Sequence, residues 1–312
     1  MEKRRRHVYG PVPSRRFGLS LGVDLVPHKV CNYDCVYCQL GPTRELVCAR
    51  RDFFALDAML ADVELALSRG PRPDVLTLAG SGDPGLYRSL GPLIDCLHGL
   101  TDLPVVLLTN GGLLYRDDLA ADALKADVLA PNLDAADEGT WRRVNRPCGE
   151  IPFARMREGL HAVCRAHSGI VRVEVMLVPG YNEACIDALA AELSGLRADR
   201  IDINTPVRPV PGSGLEACEP GCLDRARRAF GPRAEVIAAF RGGAVEAAQP
   251  DLARSVMDML ERRPCTLEDI AASLAAHPNE VVKILDEAQA AGRVVCRPGR
   301  DGSYFFAPRG GD

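Results

Sequence analysis

A chain of 312 residues, 47% apolar and 26% charged, is long enough for about two domains with full hydrophobic cores, and its composition excludes disordered, collagenous and disulfide-stapled classes. Its 38 basic and 42 acidic residues leave a net charge of -4. That balance excludes a global attraction to nucleic acid or an anionic membrane, so any such partner must use a local patch.

The N-terminal run Lys3-Arg4-Arg5-Arg6 is followed by Pro11, Pro13, Arg15 and Arg16, not by the apolar stretch of a signal peptide. The longest uncharged run, residues 103–115, has 13 residues and contains Asn110, Gly111 and Gly112, which falls short of a membrane span. A cytoplasmic protein is expected. Twelve cysteines spread from Cys31 to Cys296 lack the dense spacing of a stapled mini-domain, and fit metal or redox chemistry in a reducing compartment.

From about residue 17 to 205, short apolar runs alternate with amphipathic helical stretches, the pattern of strand and helix units that build a parallel sheet. Six candidate strands cover residues 17–26, 75–79, 105–109, 128–132, 171–178 and 201–204. Between them three helical stripes stand out: Leu56, Met59, Leu60, Val63 and Leu67; Phe153, Met156, Leu160 and Val163; and Ile186, Leu189, Leu193 and Leu196. These stripes are core. The segments after the strands, 29–40, 80–84, 109–112, 132–134, 179–182 and 205–211, are rich in Gly, Pro, Asn and Asp, and α/β sheets place ligand loops at such ends. Several of their glycines need no reading beyond a turn.

A Gly- and Ala-rich stretch then breaks the pattern, with 244–250 as a linker between a core of residues 1–243 and a unit of 251–308. In that unit Leu252, Val256 and Met259 form one stripe, and Thr266 with Asp269 resembles a capping box for a helix carrying Leu267, Ile270 and Leu274. Pro278 opens a third helix to about Ala290, and residues 293–297 and 303–307 read as a hairpin joined by 298–302. Three helices and a hairpin resemble a small winged-helix domain.

The strongest chemical signal is Cys31-Asn32-Tyr33-Asp34-Cys35-Val36-Tyr37-Cys38, with cysteines at i, i+4 and i+7 directly after the first candidate strand. Three thiolates on one loop can hold three irons of a [4Fe-4S] cluster and leave the fourth iron open to a cofactor or substrate. The competing reading is a tetrahedral zinc site with His28 as fourth ligand. Zinc cysteines usually come as two separated pairs, and no second pair lies within zinc-ribbon distance. Cys218 and Cys222 could join a second metal only with thiols brought in by folding, such as Cys48 or Cys148.

A CxxxCxxC loop with an aromatic before its last cysteine, following the first strand of an α/β repeat, resembles the radical S-adenosylmethionine (radical SAM) superfamily. Tyr9-Gly10-Pro11-Val12-Pro13-Ser14-Arg15-Arg16, Ser20-Leu21-Gly22-Val23-Asp24 and Cys38-Gln39-Leu40-Gly41 further resemble the Fe-S oxidoreductase branch grouped with the wyosine-forming tRNA enzymes. The resemblance implies an α/β fold, a partial (β/α)6 TIM-like barrel, with a [4Fe-4S] cluster and S-adenosyl-L-methionine as cofactors. By position it implies Cys31, Cys35 and Cys38 as cluster ligands and Tyr37 as the aromatic near the adenine. Ser81, Gly82 and Asp83 stand at the family's Gly-Gly-Glu motif for the SAM amino group. Thr109, Asn110, Asn132 and Asp134 fall where the methionine carboxylate and ribose are contacted, Val178 in the adenine motif, and Asn204 and Thr205 at a sixth-strand contact. It also implies a one-electron donor such as flavodoxin or ferredoxin.

For the substrate, Arg15, Arg16, Arg146 and Arg208, with Arg142 and Arg143, lie on or beside the strand-end loops, and Arg suits bidentate recognition of an anion. An RNA base, a peptide and a small anionic metabolite all stay open. So does a nucleic-acid-binding regulator that uses the metal site as a sensor, although its third helix carries Glu280, Asp286 and Glu287 against Lys283.

Overall fold

The computed structural model describes residues 7–69, 71–208, 210, 213–237, 252–274, 276, 278–299 and 302–308. The expected linker at 244–250 lies outside them, as do Arg300 in the expected hairpin turn and parts of the segment 205–211.

The chain opens with β1 (Val8–Ser14) and β2 (Gly18–Val23), then the short pair β3 (Val30–Cys31) and β4 (Glu45–Leu46). There follow α1 (Leu56–Arg69), β5 (Val75–Leu78), a 3-10 turn at Pro84–Leu86, α2 (Leu90–Leu100), β6 (Val105–Thr109), α3 (Asp117–Ala123) and β7 (Val128–Pro131). Next come α4 (Glu138–Val144), α5 (Phe153–Ala166), β8 (Ile170–Met176), α6 (Ile186–Ser194), β9 (Arg200–Asn204), α7 (Pro220–Phe230) and β10 (Ala234–Val236). The C-terminal unit holds α8 (Leu252–Leu260), β11 (Cys265–Thr266), α9 (Leu267–Ser273), α10 (Pro278–Ala290), β12 (Val295–Gly299) and β13 (Gly302–Phe306).

Among the described residues eight strands form one sheet in the order β1-β2-β5-β6-β7-β8-β9-β10, parallel throughout except for the antiparallel β1–β2 hairpin. All four residues of β5 and of β7 are buried, as expected of strands covered on both faces. One face, with Leu76, Leu78, Leu107, Leu129, Val173 and Ile203, joins the three helical stripes in the main core. The other face gathers Val75, Val106, Val128 and Leu108 around Phe17.

The sheet curls. In a flat sheet β2 and β9 would lie about 24 Å apart, five spacings of about 4.8 Å. Yet Arg15, in the turn just before β2, donates to Asn204 Oδ1 on β9 at 3.1 Å, and Arg16 pairs with Glu174 on β8. The architecture is therefore α/β with a partial barrel whose lumen holds the tip of the β1–β2 hairpin.

The six expected parallel strands are β2 and β5 to β9, four of them (β2, β5, β7 and β8) shorter than expected. The strand expected at 171–178 stops at Met176, because Val178 N–H turns to the Asn182 side chain at 2.7 Å instead of a neighbouring strand. Two further strands flank the six. Pro11 and Pro13 disguise β1 in the sequence, and such prolines are tolerated on an edge strand; β10 is only three residues long.

In the C-terminal unit the expected capping box is present, with Asp269 N–H donating to Thr266 Oγ1 at 3.0 Å. Its three strands form a small antiparallel sheet, β11-β13-β12, over a separate apolar core. Helices α8 and α9 pack on β1, Val12 reaches into that core, and the Arg262 guanidinium sits 4.8 Å over the Tyr9 ring. An exposed edge strand is thereby covered.

Arg50 pins the segment after β4 to the 3-10 turn that follows β5 and to α3. It donates to the carbonyls of Gly85 and Tyr87 and pairs with Asp118 and Asp122, its side chain only 3% exposed. Arg50→Ala leaves these acceptors unmet, and a loss on the order of 3 kcal/mol in urea unfolding is the expected result.

Candidate active site at the strand ends

The cysteine loop is held mostly by its backbone. Lys29 enters it with φ of 61° and donates its N–H to Ser81 O at 2.8 Å. Asp34 N–H donates to the carbonyls of Asn145 and Arg146, Val36 N–H to Val144 O, and Cys148 N–H to Asn32 O. The loop is thus clamped between the end of β5 and the end of α4. At Gly82 a Cβ would fall 1.8 Å from Val30 O, so only glycine lets the loop pass there.

Cys31, Cys35 and Cys38 are half-buried free thiols on this loop, and each sulfur meets a nitrogen. Asn110 Nδ2 lies 3.7 Å from Cys31 Sγ, Asn145 Nδ2 3.6 Å from Cys35 Sγ, and the Lys29 ammonium 3.3 Å from Cys38 Sγ. Burial, reinforced by the Asp83 carboxylate, pushes Cys31 up to about 12; burial and then Asp134 push Cys35 well above the usual thiol range. Such thiols release their protons to a strongly positive partner, as metal binding provides.

Two carboxylates behind the loop share that demand. Asp83, 4% exposed, accepts from Gly85 N at 2.8 Å, Thr109 Oγ1 at 2.9 Å and Asn110 N at 2.6 Å. Asp134, 3% exposed, accepts from the Tyr37 hydroxyl, from Asn145 Nδ2 at 2.7 Å and from Met176 N at 2.9 Å. All these donors are neutral, and burial raises the pKa of both acids. Among the described residues neither has an ion-pair partner, and Lys29 is the cation seated against the thiols. The donor set therefore fits ligands that bring positive charge: an iron-sulfur cluster on the thiols, and a sulfonium with its ammonium beside the acids. No three His, Cys, Asp or Glu side chains among the described residues converge on a single metal ion.

Tyr37 and Val178, distant in sequence, fall in one apolar cluster with Val36, Val144, Met176 and Tyr181. Ser81 spends its hydroxyl and N–H on Asp24, so its local duty is to fix the loop after β5. Asn110 pairs with Asn32, amide to amide, at 2.7 Å. Asn132 caps β7 half-exposed, its N–H on Thr109 O. Thr205 Oγ1 accepts from Cys218 N at 2.8 Å. Asn204 points into the lumen, where its amide links Arg15 to Glu174.

The arginines divide. Arg15 and Arg16 reach the lumen, whereas Arg208 is buried against Asp269 of α9 at 3.4 Å. Arg146 is exposed, 3.8 Å from Asp34, and serves the loop through its carbonyl. Arg142 lies along α4 on Glu138, and Arg143 donates to Tyr181 O.

Lys29, Asn32, Asn145 and Asn182 belong to the site and carry no motif of their own. A lysine two residues before the triplet and asparagines at strand and helix ends were the available signals. Cys48 sits on Cys148, and Cys218 on Cys222, as two separate thiol pairs, so no four-thiol group assembles among the described residues. A shallow cavity of about 430 Å³ on α5, lined in part by Arg157, Glu158 and His161, shares none of the strand-end residues.

The sequence pattern of the radical SAM superfamily matches residues 25–193. A UPF0026 protein of Methanocaldococcus jannaschii is 35% identical over 205 residues, covering 64% of each chain, and one of Synechocystis is 32% identical over 205 residues, 65% of this chain and 77% of that protein. A protein named GTPase Obg, from Brachyspira hyodysenteriae, is 30% identical over 294 residues, which are 93% of this chain but 43% of that one. The chain thus spans 43% and 64% of these first relatives' lengths. No lysine of this chain (Lys3, Lys29, Lys125, Lys283) follows a glycine, as the lysine of a G-x-x-x-x-G-K-[ST] phosphate loop must. A radical SAM methyltransferase from Sphaerobacter thermophilus shares the fold with a TM-score of 0.55 at 19% identity, over 70% of this chain and 65% of that one. The chain belongs to the radical SAM superfamily, and that membership implies a [4Fe-4S] cluster and SAM as cofactors.

Two variants probe the loop. Lys29→Met removes a positive charge from beside the Cys38 sulfur, which would weaken the reduced state of a cluster bound there most. The midpoint potential is expected to fall by roughly tens of millivolts in anaerobic spectroelectrochemistry. Gly82→Ala should displace the loop and lower the iron bound per chain.

Proposed function

We propose that Cys31, Cys35 and Cys38 hold the cluster, and that SAM lies across the strand ends between Asp83, Asn110, Asn132, Asp134 and the Tyr37–Val178 cluster. Bound there, the cofactors supply one-electron reductive cleavage of SAM to a 5′-deoxyadenosyl radical that removes a hydrogen from the substrate. The observation that carries the reading is the pair of buried carboxylates without an ion-pair partner among the described residues, set behind three thiols at the C-terminal ends of the strands. Asp83 or its hydrogen-bonded neighbours orient the methionine end, and Asp134 fixes the Tyr37 ring where the adenine lies. The lumen below, roofed by these residues and floored by Phe17, keeps water and stray hydrogen donors away from the reacting atoms.

The enzyme needs a one-electron reductant, and a cytoplasmic flavodoxin or ferredoxin suits that role. All twelve cysteines are free thiols, and no helix among the described residues is long and apolar enough to cross a membrane. Residues 1–243 are read as the radical SAM core and 251–308 as a winged-helix-like domain after a linker at 244–250. The helix-strand-helix-helix-hairpin order of that domain supports the latter.

The lumen arginines favour an anionic substrate. RNA remains within that class through the likeness to the wyosine-forming branch, but α10 turns Glu280, Asp286 and Glu287 to solvent and would repel a phosphate backbone. Residues 1–30 contain no cysteine, whereas the wyosine-forming enzymes carry cysteines upstream of the triplet for a second cluster.

Anaerobic reconstitution with iron and sulfide, followed by reduction in the presence of SAM, should yield 5′-deoxyadenosine on chromatography. Cys31→Ala, Cys35→Ala and Cys38→Ala are each expected to lose cluster iron and this product while melting cooperatively. Normal iron in all three variants would remove the assignment. Stoichiometric zinc in anaerobically purified protein would favour the zinc site, and an intact cluster that never cleaves SAM would favour a sensor.

A further inference from the structure

Where the lumen meets the C-terminal unit, four guanidinium groups gather that the cofactor site does not use. Arg15 comes from the β1–β2 turn, Arg16 beside it is paired with Glu174, Arg208 follows β9, and Arg263 lies between α8 and β11. Their nearby counter-charges are Glu174 and Asp269. Glu174 already serves Arg16 and Asn204, and Asp269, paired with one terminal nitrogen of Arg208 at 3.4 Å, also accepts from the Thr266 N–H of the capping box. Arg263 makes no ion pair among the described residues.

Burial and the mutual repulsion of these cations have visible effects. Burial first, then Arg208 and Arg263, pull the Arg15 guanidinium down to about 10; burial and Arg263 also lower Arg208. Arg208 is 6% exposed, and its Nε has no hydrogen-bond partner among the described residues. A buried charged donor left unmet, inside a group with excess positive charge, is an arrangement that a bound anion completes.

We propose that Arg15, Arg208 and Arg263 form a binding site for a phosphoryl or carboxylate group of the substrate, and that the C-terminal unit completes this site by contributing Arg263. The inference rests on the reading of the lumen as the substrate chamber and adds a role for the C-terminal unit. The anion is held at the open side of the barrel, beside Asn204 on β9, with the rest of the substrate directed along the lumen toward the strand ends. Guanidinium groups suit either oxyanion through paired N–H donors.

Isothermal titration of the anaerobically reconstituted full chain at low salt, with pyrophosphate and separately with tricarballylate, tests the site. At least one probe should bind saturably. Preference for pyrophosphate marks the group as phosphoryl, and preference for tricarballylate marks it as carboxylate. Arg263→Gln should weaken that binding at least tenfold with melting temperature and iron content matching the wild type, and Arg208→Gln should abolish it. Failure of both probes to bind the wild type, or equal affinity in Arg263→Gln, overturns the proposal. The titration does not depend on SAM cleavage, so a protein that cleaves SAM without this anion site, or the converse, separates the two readings.

Discussion

The structure is organised around the burial of acidic groups with few cations beside them. Three thiols and the carboxylates of Asp83 and Asp134 lie at the strand ends, and among the described residues Lys29 is the cation placed against one of the thiols. Neutral donors make the arrangement tolerable: hydroxyls of Thr109 and Tyr37, amides of Asn110 and Asn145, and backbone N–H groups of Gly85, Asn110 and Met176. These bonds orient the acids without neutralising them. Binding of cationic cofactors therefore draws on an electrostatic demand already present in the folded protein, in a setting of low effective dielectric where each charge counts for more.

The same bonds tie the barrel together at its top. Asp83 links the end of β5 to that of β6, Asp134 joins the end of β7 to β8, and Asn182 donates to the carbonyls of both Asp134 and Met176. The proposed cofactor-binding residues and the strand-closing residues are thus one network. A change at one strand end is felt at the next, so substitutions here combine effects on binding and on geometry.

Much of this was legible in the sequence because its signals are local. Alternating apolar runs disclosed the six parallel strands, the i, i+4, i+7 cysteines disclosed the loop, and Thr266 with Asp269 disclosed a helix start. The hidden parts depend on residues far apart in the chain. Lys29 lies two positions from Cys31, but its approach to Cys38 follows from a left-handed backbone that no pattern reports. Asn145 reaches Cys35 across 110 positions, and Arg208 reaches Asp269 across 61. β1 was masked by its prolines, whose edge position became evident only once the C-terminal helices were seen to cover it. Basic residues near strand ends were visible as a group, but their sorting into lumen, surface and domain junction was set by tertiary packing.

The floor of the lumen is closed by a turn residue set against the first residues of the strands. Phe17 closes it among Val75, Val106 and Val128, with the Arg16 guanidinium 5.3 Å and the Arg172 guanidinium 5.2 Å from its ring centre. Strand residues are constrained by register and by the helices behind them, whereas a hairpin tip answers to neither. The depth and polarity of the chamber at that end are thus set by the three residues 15–17, at the opposite end of the barrel from the cysteine loop. Within one scaffold, the residues that shape the chamber floor and those that line the strand ends are carried by different parts of the chain.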